Sequence, residues 1–339
     1  MKMNFLGKTG VRVSALCFGA MTFGEKGAFQ EIGALSQKEA DFLVGMALDK
    51  GINFFDTSDV YSEGRSETIL GKALGSRRKE AILATKVRWR VGPGPNDVGL
   101  SRYHLIEACN ASLKRMDTDY IDLYQLHGFD PITSLEETLR ALDDLVHQGK
   151  VRYIGCSNFT AWQLMKALWI SDKNGLEKFV AHQVYYSLGA RELENELVPL
   201  CLDQGLGILS WSPLSGGFFS GKYRRGQAKP KEGRRADPTA VSNSFWPVDE
   251  EKGFDIVEEL DRIVKTHKAT VAQAALNYLL SKPGVTSVII GATKPEHLTD
   301  NLKTTDWEMK PEEVERLDKL SRPTPLYPYW HQELTRSDR

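Results

Sequence analysis

The chain has 339 residues, of which 41% are hydrophobic and 26% charged, as in an ordinary soluble globular protein. Lys and Arg total 44 against 45 Asp and Glu, so the net charge of −1 provides no basic excess for nucleic acid or an anionic membrane. No apolar run approaches the roughly 20 residues of a membrane span, and no signal-peptide core follows Met1. These features exclude a membrane protein, a disordered chain and a disulfide scaffold.

The four cysteines are predicted to be reduced, buried thiols. Cys17, Cys109 and Cys156 lie in apolar-rich segments, and Cys201 is the fourth. None forms a CxxC pair and no histidine cluster lies near them, so we expect no metal site. Without a secretory signal, reduced thiols indicate a cytoplasmic location.

Short apolar runs alternate with amphipathic stretches along nearly the whole chain. The first predicted helix begins with a capping box formed by Ser36 and Glu39. In chain order, the predicted strands are 14–19, 52–55, 81–85, 120–126, 151–156, 179–184, 206–210 and 286–290. The predicted helices are 36–50, 65–74, 102–116, 134–147, 161–171, 192–204, about 251–267, 270–281 and 295–303.

Eight short strands, each with a helical partner, predict the α/β class and a closed (β/α)8 TIM barrel. The strands are apolar on both faces, as expected where helices cover a barrel from outside. An open, doubly wound sheet is the alternative, but it requires a GxGxxG fingerprint after the first strand. The residues there, Cys17 to Gly24, do not fit that fingerprint.

Two segments lie outside the eight units, and we expect all of them to form a single domain. Residues 3–14 are predicted to form a β-hairpin with turn glycines Gly7 and Gly10, placed to cap one end of the barrel. The barrel is expected to span about 15–303, with a C-terminal helix and tail over 304–339. The aromatic tail would either close over a site or pack on the barrel wall. Residues 216–250 form the longest predicted loop, and a loop of that length is usually functional.

Polar side chains recur at the C-terminal ends of the predicted strands, which is where parallel barrels place active sites. Four of these side chains are titratable and belong to strands two, three and four. In chain order the polar positions are Asp56, with Tyr61 five residues later, Lys86, His127, Ser157 with Asn158, Gln183, Trp211 with Ser212, and Gly291.

Asp56, Tyr61, Lys86 and His127 indicate a general acid site. No GxSxG elbow offers a serine nucleophile. A tyrosine titrates near about 10, and a nearby ammonium lowers that pKa. An aspartate would hold the lysine, and a histidine would orient the phenol or the substrate oxygen. Such a site protonates a carbonyl oxygen as it becomes an alkoxide, and it needs a bound hydride donor.

The sequence FDTSDVY at 55–61, followed by GRSE at 64–67 and LG at 70–71, resembles the signature of the aldo-keto reductases. TK at 85–86, LH at 126–127, GCSNF at 155–159, HQ at 182–183 and WSPL at 211–214 match further motifs of that family in the same order. The resemblance covers about residues 3–303. It implies reduction of an aldehyde or ketone by NADPH, less often NADH, without a metal and with Tyr61 as proton donor. The reverse oxidation of an alcohol is also implied.

The same resemblance implies contacts to the cofactor. Ser157, Asn158 and Gln183 would hold the nicotinamide carboxamide, and Trp211 would stack on the ring. Thr293 and Lys294 suit a 2′-phosphate. The other implied contacts are Ala20, Met21, Asp56, Ser212, Pro213, Leu214, Gly216, Lys222, Arg234, Gly291, His297 and Asn301. His297 replaces the Arg or Gln of many members, which leaves the strength of the preference for NADP over NAD open.

Phe23, Trp89 and Phe129 are predicted to wall an apolar substrate pocket, with ordinary packing as the alternative for each. Such a pocket suits keto-sugars and xenobiotic or metabolite carbonyls. Potassium-channel auxiliary subunits share this resemblance, so a cofactor-binding regulatory module is the alternative function. No apolar stripe is left over on the predicted helices, so we expect a monomer or weak homodimer.

Overall fold

The computed structural model describes residues 1–24, 35–228, 230, 235 and 247–338. Eight parallel strands close into a barrel in the order β10-β3-β4-β5-β6-β7-β8-β9, and β1 pairs with β2 in a separate antiparallel hairpin. The (β/α)8 prediction is confirmed. The strands are β1 (Met3–Phe5), β2 (Arg12–Ser14), β3 (Leu16–Gly19), β4 (Phe54–Asp56), β5 (Ile82–Val87), β6 (Ile121–Leu126), β7 (Val151–Ser157), β8 (Phe179–Tyr185), β9 (Gly207–Trp211) and β10 (Val285–Ile290).

Helices surround the barrel, and their buried faces share one apolar core with the outward faces of the strands. The helices of the described residues are α1 (Gln37–Asp49), α2 (Arg65–Leu74), α3 (Arg102–Met116), α4 (Leu135–His147), α5 (Ala161–Asn174), α6 (Leu197–Gln204), α7 (Glu250–His267), α8 (Val271–Leu280), α9 (Pro295–Leu302), α10 (Pro311–Ser321) and α11 (Tyr329–Thr335).

Local sequence signals account for most of the helix boundaries. Ser36 and Glu39 form the predicted capping box at the start of α1. The continuous helix predicted over 192–204 is wrong, because a short 3₁₀ turn precedes a separate α6 that begins at Leu197. Pro199 has no N–H and would clash with the preceding turn of a longer helix, so it is tolerated only within the first turn of α6.

The N-terminal hairpin closes the lower end of the barrel, as its position in the sequence suggested. Leu6 and Val13 are fully buried and pack against the lowest side chains of the barrel interior. Gly7 adopts φ +58°, and a Cβ there would lie 2.5 Å from the carbonyl oxygen of Val180. Only glycine permits this close approach of the hairpin to the barrel rim.

Alternation along the strands divides the barrel interior into two layers. Side chains two residues apart on a strand point to the same face, so inward-facing positions recur at every second residue of a strand. The lower layer is apolar and contains Cys17, Phe54, Ala84, Leu123, Ala181 and Leu209. Two residues further along the strands, the upper layer contains Gly19, Asp56, Lys86, Gln125, Gln183 and Trp211.

One helix face departs from the predicted pattern. Trp162, Met165 and Trp169 on α5 are 60%, 39% and 54% exposed, and their spacing places them on one face of the helix. The expectation that no apolar stripe stays exposed is therefore wrong. No described helix is long and apolar enough to cross a lipid bilayer.

The tail after α10 contains α11, which the sequence analysis did not predict. Tyr329 donates a hydrogen bond from its hydroxyl to Glu196, just before α6, and Arg322 pairs with Glu333 within the tail. Glu196 is the N-cap of α6, and Lys252 on α7 donates to Arg322 O, so the tail contacts helices that cover the barrel, which favours packing on the wall over closure across the site.

Candidate active site

A buried lysine forms the centre of the upper layer. Lys86 on β5 is fully buried, and its Nζ donates to Asp56 Oδ1 at 2.5 Å, Thr57 O at 2.8 Å and Tyr61 OH at 3.4 Å. An ammonium group has three N–H donors, and here each one has an acceptor. Lys86 is therefore held in one orientation between the carboxylate and the phenol.

Two glutamines complete the environment of the Asp56 carboxylate. Asp56 Oδ2 accepts from Gln125 Nε2 at 3.0 Å and from Gln183 Nε2 at 2.9 Å. The sequence analysis missed Gln125. It lies two residues before His127 on β6 and therefore shares the inward face, and this period of two is the signal that could have identified it.

A strained turn presents Tyr61 to the site. The Tyr61 N–H donates to Ser58 O at 3.2 Å, and the Asp59 N–H donates to Lys86 O at 3.2 Å. Ser62 and Glu63 then take φ values of 48° and 56°, which are uncommon outside glycine. This turn brings the Tyr61 ring edge-on to the His127 imidazole, with 5.8 Å between ring centroids.

The motif at 64–67 supports this turn from behind. Gly64 takes φ +83°, and a Cβ there would meet the Arg115 side chain at 2.7 Å. Ser66 Oγ donates to Ala20 O at 2.7 Å and contacts Thr57 Oγ1 at 2.8 Å, so it links β3 to β4. Glu67 is fully buried and accepts from Thr85 Oγ1 and from Arg115 Nε, both at 2.6 Å. These contacts give GRSE a structural role.

Burial and charge act against each other on Tyr61. Burial raises the pKa of the phenol, the Lys86 charge lowers it by a smaller amount, and the net pKa lies above 10.0. Lys86 acts on the Tyr61 pKa in the direction expected from the sequence, but the sequence does not show the burial that outweighs it. Burial opposes the charge on Lys86, but Asp56 and Tyr61 together raise the lysine pKa, so it remains protonated.

His127 is held neutral at the edge of the site. Its Nδ1 lies 3.1 Å from Ser58 Oγ, and the rings of His127 and Trp89 are edge-on at 6.0 Å. Burial holds the pKa of His127 well below 6.5, and the charges of Lys86 and Arg88 act in the same direction. A neutral imidazole at this position donates or accepts one hydrogen bond without adding a charge.

The residues predicted to hold the carboxamide are linked to this site. Asn158 Nδ2 donates to His127 O at 3.1 Å and to Ser157 Oγ at 2.9 Å, and Asn158 Oδ1 accepts from Trp211 Nε1 at 3.1 Å. The Trp211 ring stacks on Tyr185, with centroids 4.8 Å apart. Gln183 joins the group through Asp56. The structure therefore brings these side chains together with the catalytic candidates.

The loop after β9 has an unusual backbone. Ser212, Ser215, Gly216 and Gly217 all take positive φ, between 48° and 93°. Successive residues that enter and leave the left-handed region turn their N–H groups into concave anion-binding surfaces. Pro213 is buried and Leu214 half-buried in this loop, Lys222 is exposed at its end, and Ala20 and the half-buried Met21 lie on the loop after β3.

The residues predicted to bind the adenosine end surround the start of α9. Lys294 is its N-cap, and Gly291, Thr293, Lys294 and His297 are exposed. Asn301 is buried near the other end of α9. Arg234 lies outside the described residues.

The predicted pocket aromatics have different environments. Phe23 is fully buried and packs on Phe18 at 5.9 Å, so it belongs to the barrel core rather than to an open wall. Phe129 is half-buried and packs edge-on to Phe159 at 5.5 Å. Trp89 is 44% exposed. In this structure only Trp89 therefore has the exposure expected of a pocket wall.

The donor set fits a nicotinamide dinucleotide. The Asn158 amide lies beside Trp211, where a nicotinamide carboxamide would bind. The positive-φ backbone after β9 suits a pyrophosphate, and the exposed Thr293 and Lys294 at the start of α9 suit a further phosphate. Within the part of the chain that the structure describes, no group of three His, Cys, Asp or Glu residues is placed to bind a metal ion.

The fold and this site define a barrel with an Asp-Tyr-Lys-His constellation at the C-terminal ends of its strands. Residues 15–322 match the model of the aldo/keto reductase family, and the chain belongs to that family. A probable voltage-gated potassium channel subunit beta of Arabidopsis thaliana is 38% identical over 90% of this chain and 92% of its own length. An uncharacterized oxidoreductase of Bacillus subtilis is 37% identical over 94% and 96%. The versiconal hemiacetal acetate reductase of Aspergillus parasiticus is 33% identical over 97% and 99%.

Proposed function

We propose that this protein reduces an aldehyde or ketone to an alcohol with hydride from NADPH, and that Tyr61 donates the proton to the carbonyl oxygen. The observation that supports this most directly is the set of three acceptors around Lys86. Because an ammonium cannot accept a hydrogen bond, the Tyr61 oxygen accepts from Lys86 and its own hydrogen points away from Lys86. That hydrogen is the proton that the reaction requires.

A bound nicotinamide supplies the hydride. Ser157, Asn158 and Gln183 would hold its carboxamide, with Trp211 beside the ring. Hydrogen bonds among Asn158, Trp211 and the His127 carbonyl orient these groups before any ligand binds. The exposed hydroxyl and ammonium groups of Thr293 and Lys294 support NADPH over NADH, because they suit a 2′-phosphate.

The electrostatics of the site suit the transfer of a proton to a developing alkoxide. When Tyr61 gives up its proton, the phenolate forms 3.4 Å from the Lys86 ammonium, where burial strengthens the attraction. Asp56 keeps Lys86 charged and in place. Neutral His127 orients the substrate oxygen by a hydrogen bond. In the reverse direction, the Tyr61 phenolate would act as the base for alcohol oxidation.

A cofactor-binding regulatory module is the second candidate function. Relatives that are 36% to 38% identical, from Arabidopsis thaliana, rice and fission yeast, are named as probable or putative voltage-gated potassium channel beta subunits. A panel of aldehydes and ketones, including keto-sugars, assayed with NADPH and NADH side by side separates the two. An enzyme turns over many equivalents of cofactor, whereas a binding module holds NADPH and oxidises at most the bound equivalent.

We also propose a monomer or weak homodimer that acts on small metabolite or xenobiotic carbonyls in the cytoplasm. The four buried cysteines are free thiols, which suits a reducing compartment. The barrel buries its own core, although the α5 stripe is exposed. A light-scattering mass near 38.0 kDa, or up to twice that value, is expected. A stable octamer would contradict it and favour the regulatory candidate.

A further inference from the structure

Arg88 follows β5 at the edge of the site, and its backbone is unusual. It takes φ +143°, in a region that is essentially confined to glycine. Its carbonyl oxygen accepts from the Gly99 N–H at 2.9 Å, and the preceding Val87 oxygen accepts from the His127 N–H at 2.8 Å. These bonds hold Arg88 beside the strand end that carries His127.

The Arg88 side chain is also held in place. It lies across Gly128, because a Cβ at that glycine would be 3.7 Å from both Cδ and Nε of Arg88. Nε donates to Phe129 O at 3.2 Å, and the guanidinium carbon lies 4.3 Å from the Trp89 ring. The Trp89 ring is itself 6.0 Å from the His127 imidazole. The guanidinium is therefore fixed one aromatic ring away from the predicted position of the reacting oxygen.

The Arg88 charge has no anionic partner among the described residues. Its side-chain polar contacts among the described residues are the hydrogen bond to the Phe129 carbonyl and the contact with the Trp89 ring, so neither Nη has an acceptor there. An unpaired, half-buried guanidinium is unusual, because buried charges in proteins are generally paired. Other partly or fully buried arginines of this chain form ion pairs: Arg78, Arg115 and Arg191.

We propose that Arg88 makes this site select carbonyl substrates that carry a carboxylate or a phosphate; the proposal rests on the reductase function proposed above. The paired N–H donors of a guanidinium match the oxygens of either anion. Trp89 and Phe129 hold the group before the substrate arrives, so less conformational entropy is lost on binding. Because Arg88 lies on the Trp89 side of His127, the anion would bind on that side of the reacting carbonyl.

Matched substrate pairs test this selectivity. One pair is 4-carboxybenzaldehyde and its methyl ester, and the other is glyceraldehyde 3-phosphate and glyceraldehyde. The variants are Arg88→Met, Arg88→Lys and the control Arg90→Met. Arg90 lies two residues further along, on the other side of Trp89 in the sequence, and within the described part of the chain its side chain donates hydrogen bonds only to the loop carbonyls of Gly92 and Gly94. The control therefore removes the same charge from an exposed position.

For Arg88→Met, kcat/KM for the anionic member of at least one pair should fall roughly 10- to 100-fold, the loss expected for a charge-assisted hydrogen bond. Its neutral partner should change by less than about threefold, and Arg90→Met should leave both unchanged. Arg88→Lys should retain part of the preference for the anionic substrate, because an ammonium keeps the charge but lacks the paired N–H donors of a guanidinium. The pair that responds identifies the anion.

Equal losses for the neutral and anionic members would overturn the selectivity proposal while leaving the reductase function intact. A selective loss of activity on the anionic substrate in Arg90→Met would also overturn it, because the preference would then depend on net charge and not on Arg88. If the wild type reduces neither aldehyde of a pair, turnover of that pair cannot report selectivity, and calorimetric titration with benzoate and inorganic phosphate replaces it; the reductase function itself is tested by the full panel. If the wild type and Arg90→Met bind benzoate or phosphate and Arg88→Met does not, the anion site is supported. If the wild type binds neither anion, or if all three proteins bind equally, the anion site is refuted.

Discussion

Replacing Tyr61 with phenylalanine should abolish most carbonyl reduction while leaving the site assembled. The substitution removes one hydroxyl and keeps the ring that faces His127. Lys86 loses its longest hydrogen bond, at 3.4 Å, and keeps those to Asp56 at 2.5 Å and Thr57 O at 2.8 Å. The ammonium should therefore stay in position.

The expected magnitude follows from the role of the lost proton. General acid catalysis contributes about 10²- to 10⁴-fold. At about 1.36 kcal/mol per tenfold, that corresponds to about 3–5 kcal/mol of transition-state stabilisation. Affinity for NADPH should change by less than about twofold, because the residues proposed to hold it lie on other strands and loops. Lys86→Met should also slow reduction, since it removes the charge that lowers the Tyr61 pKa. The two losses should not add, because both act through one proton transfer.

Single-turnover reduction, followed by the loss of NADPH absorbance in a stopped-flow instrument, measures this effect directly. A deuteride isotope effect establishes that the chemical step is observed. Tyr124→Phe is the matched control, because the buried Tyr124 hydroxyl has no hydrogen-bond partner within the described structure and lies outside the site. Wild-type rates in Tyr61→Phe, with the isotope effect present, would refute the assignment of Tyr61 as proton donor.

Three further predictions concern the cofactor, the pH profile and stability. Lys294→Ala should weaken NADPH about 10- to 100-fold and NADH hardly at all in fluorescence titrations; equal losses would show that Lys294 does not contact the 2′-phosphate. Because the pKa of His127 is held well below 6.5, its imidazole stays neutral, and kcat for reduction should not fall as pH drops from about 8 to about 6. An inflection near pH 6.5 that disappears in His127→Gln would contradict this. Glu67→Gln breaks a pair with Arg115 in which the carboxylate is fully buried, so the unfolding free energy in urea should fall by about 3 kcal/mol; an unchanged midpoint would show that the pair contributes nothing.

The barrel could be predicted because short-range sequence patterns specify its strands and helices. Strand and helix periods repeat eight times, and caps such as Ser36 mark the helix starts. The failures have equally local causes. Hydrophobic spacing alone predicts a continuous helix where Pro199 prevents one. The spacing of the α5 stripe is that of an ordinary amphipathic helix, and only the folded barrel shows that this face is exposed.

The sequence predicts those residues of the site that lie at the C-terminal ends of strands or shortly after them. Asp56, Tyr61, Lys86 and His127 occupy recognisable positions, and the structure brings them together. Gln125 escaped notice because it lies inside β6 and meets Asp56 only across the closed barrel, 69 positions away in the chain. The pKa of Tyr61 also depends on the closed barrel, because burial outweighs the neighbouring cation.

The upper layer of the barrel explains why the catalytic candidates depend on the residues that hold them in place. Two residues along a strand correspond to about 7 Å, so Lys86 lies one layer above an apolar interior that offers it no hydrogen bonds. A lysine buried there stays charged only with Asp56 opposite it, and Asp56 in turn requires donors for its second oxygen. Gln125 and Gln183 are those donors. A change at either glutamine therefore reaches Tyr61 through Asp56 and Lys86, although only Tyr61 is proposed to transfer the proton.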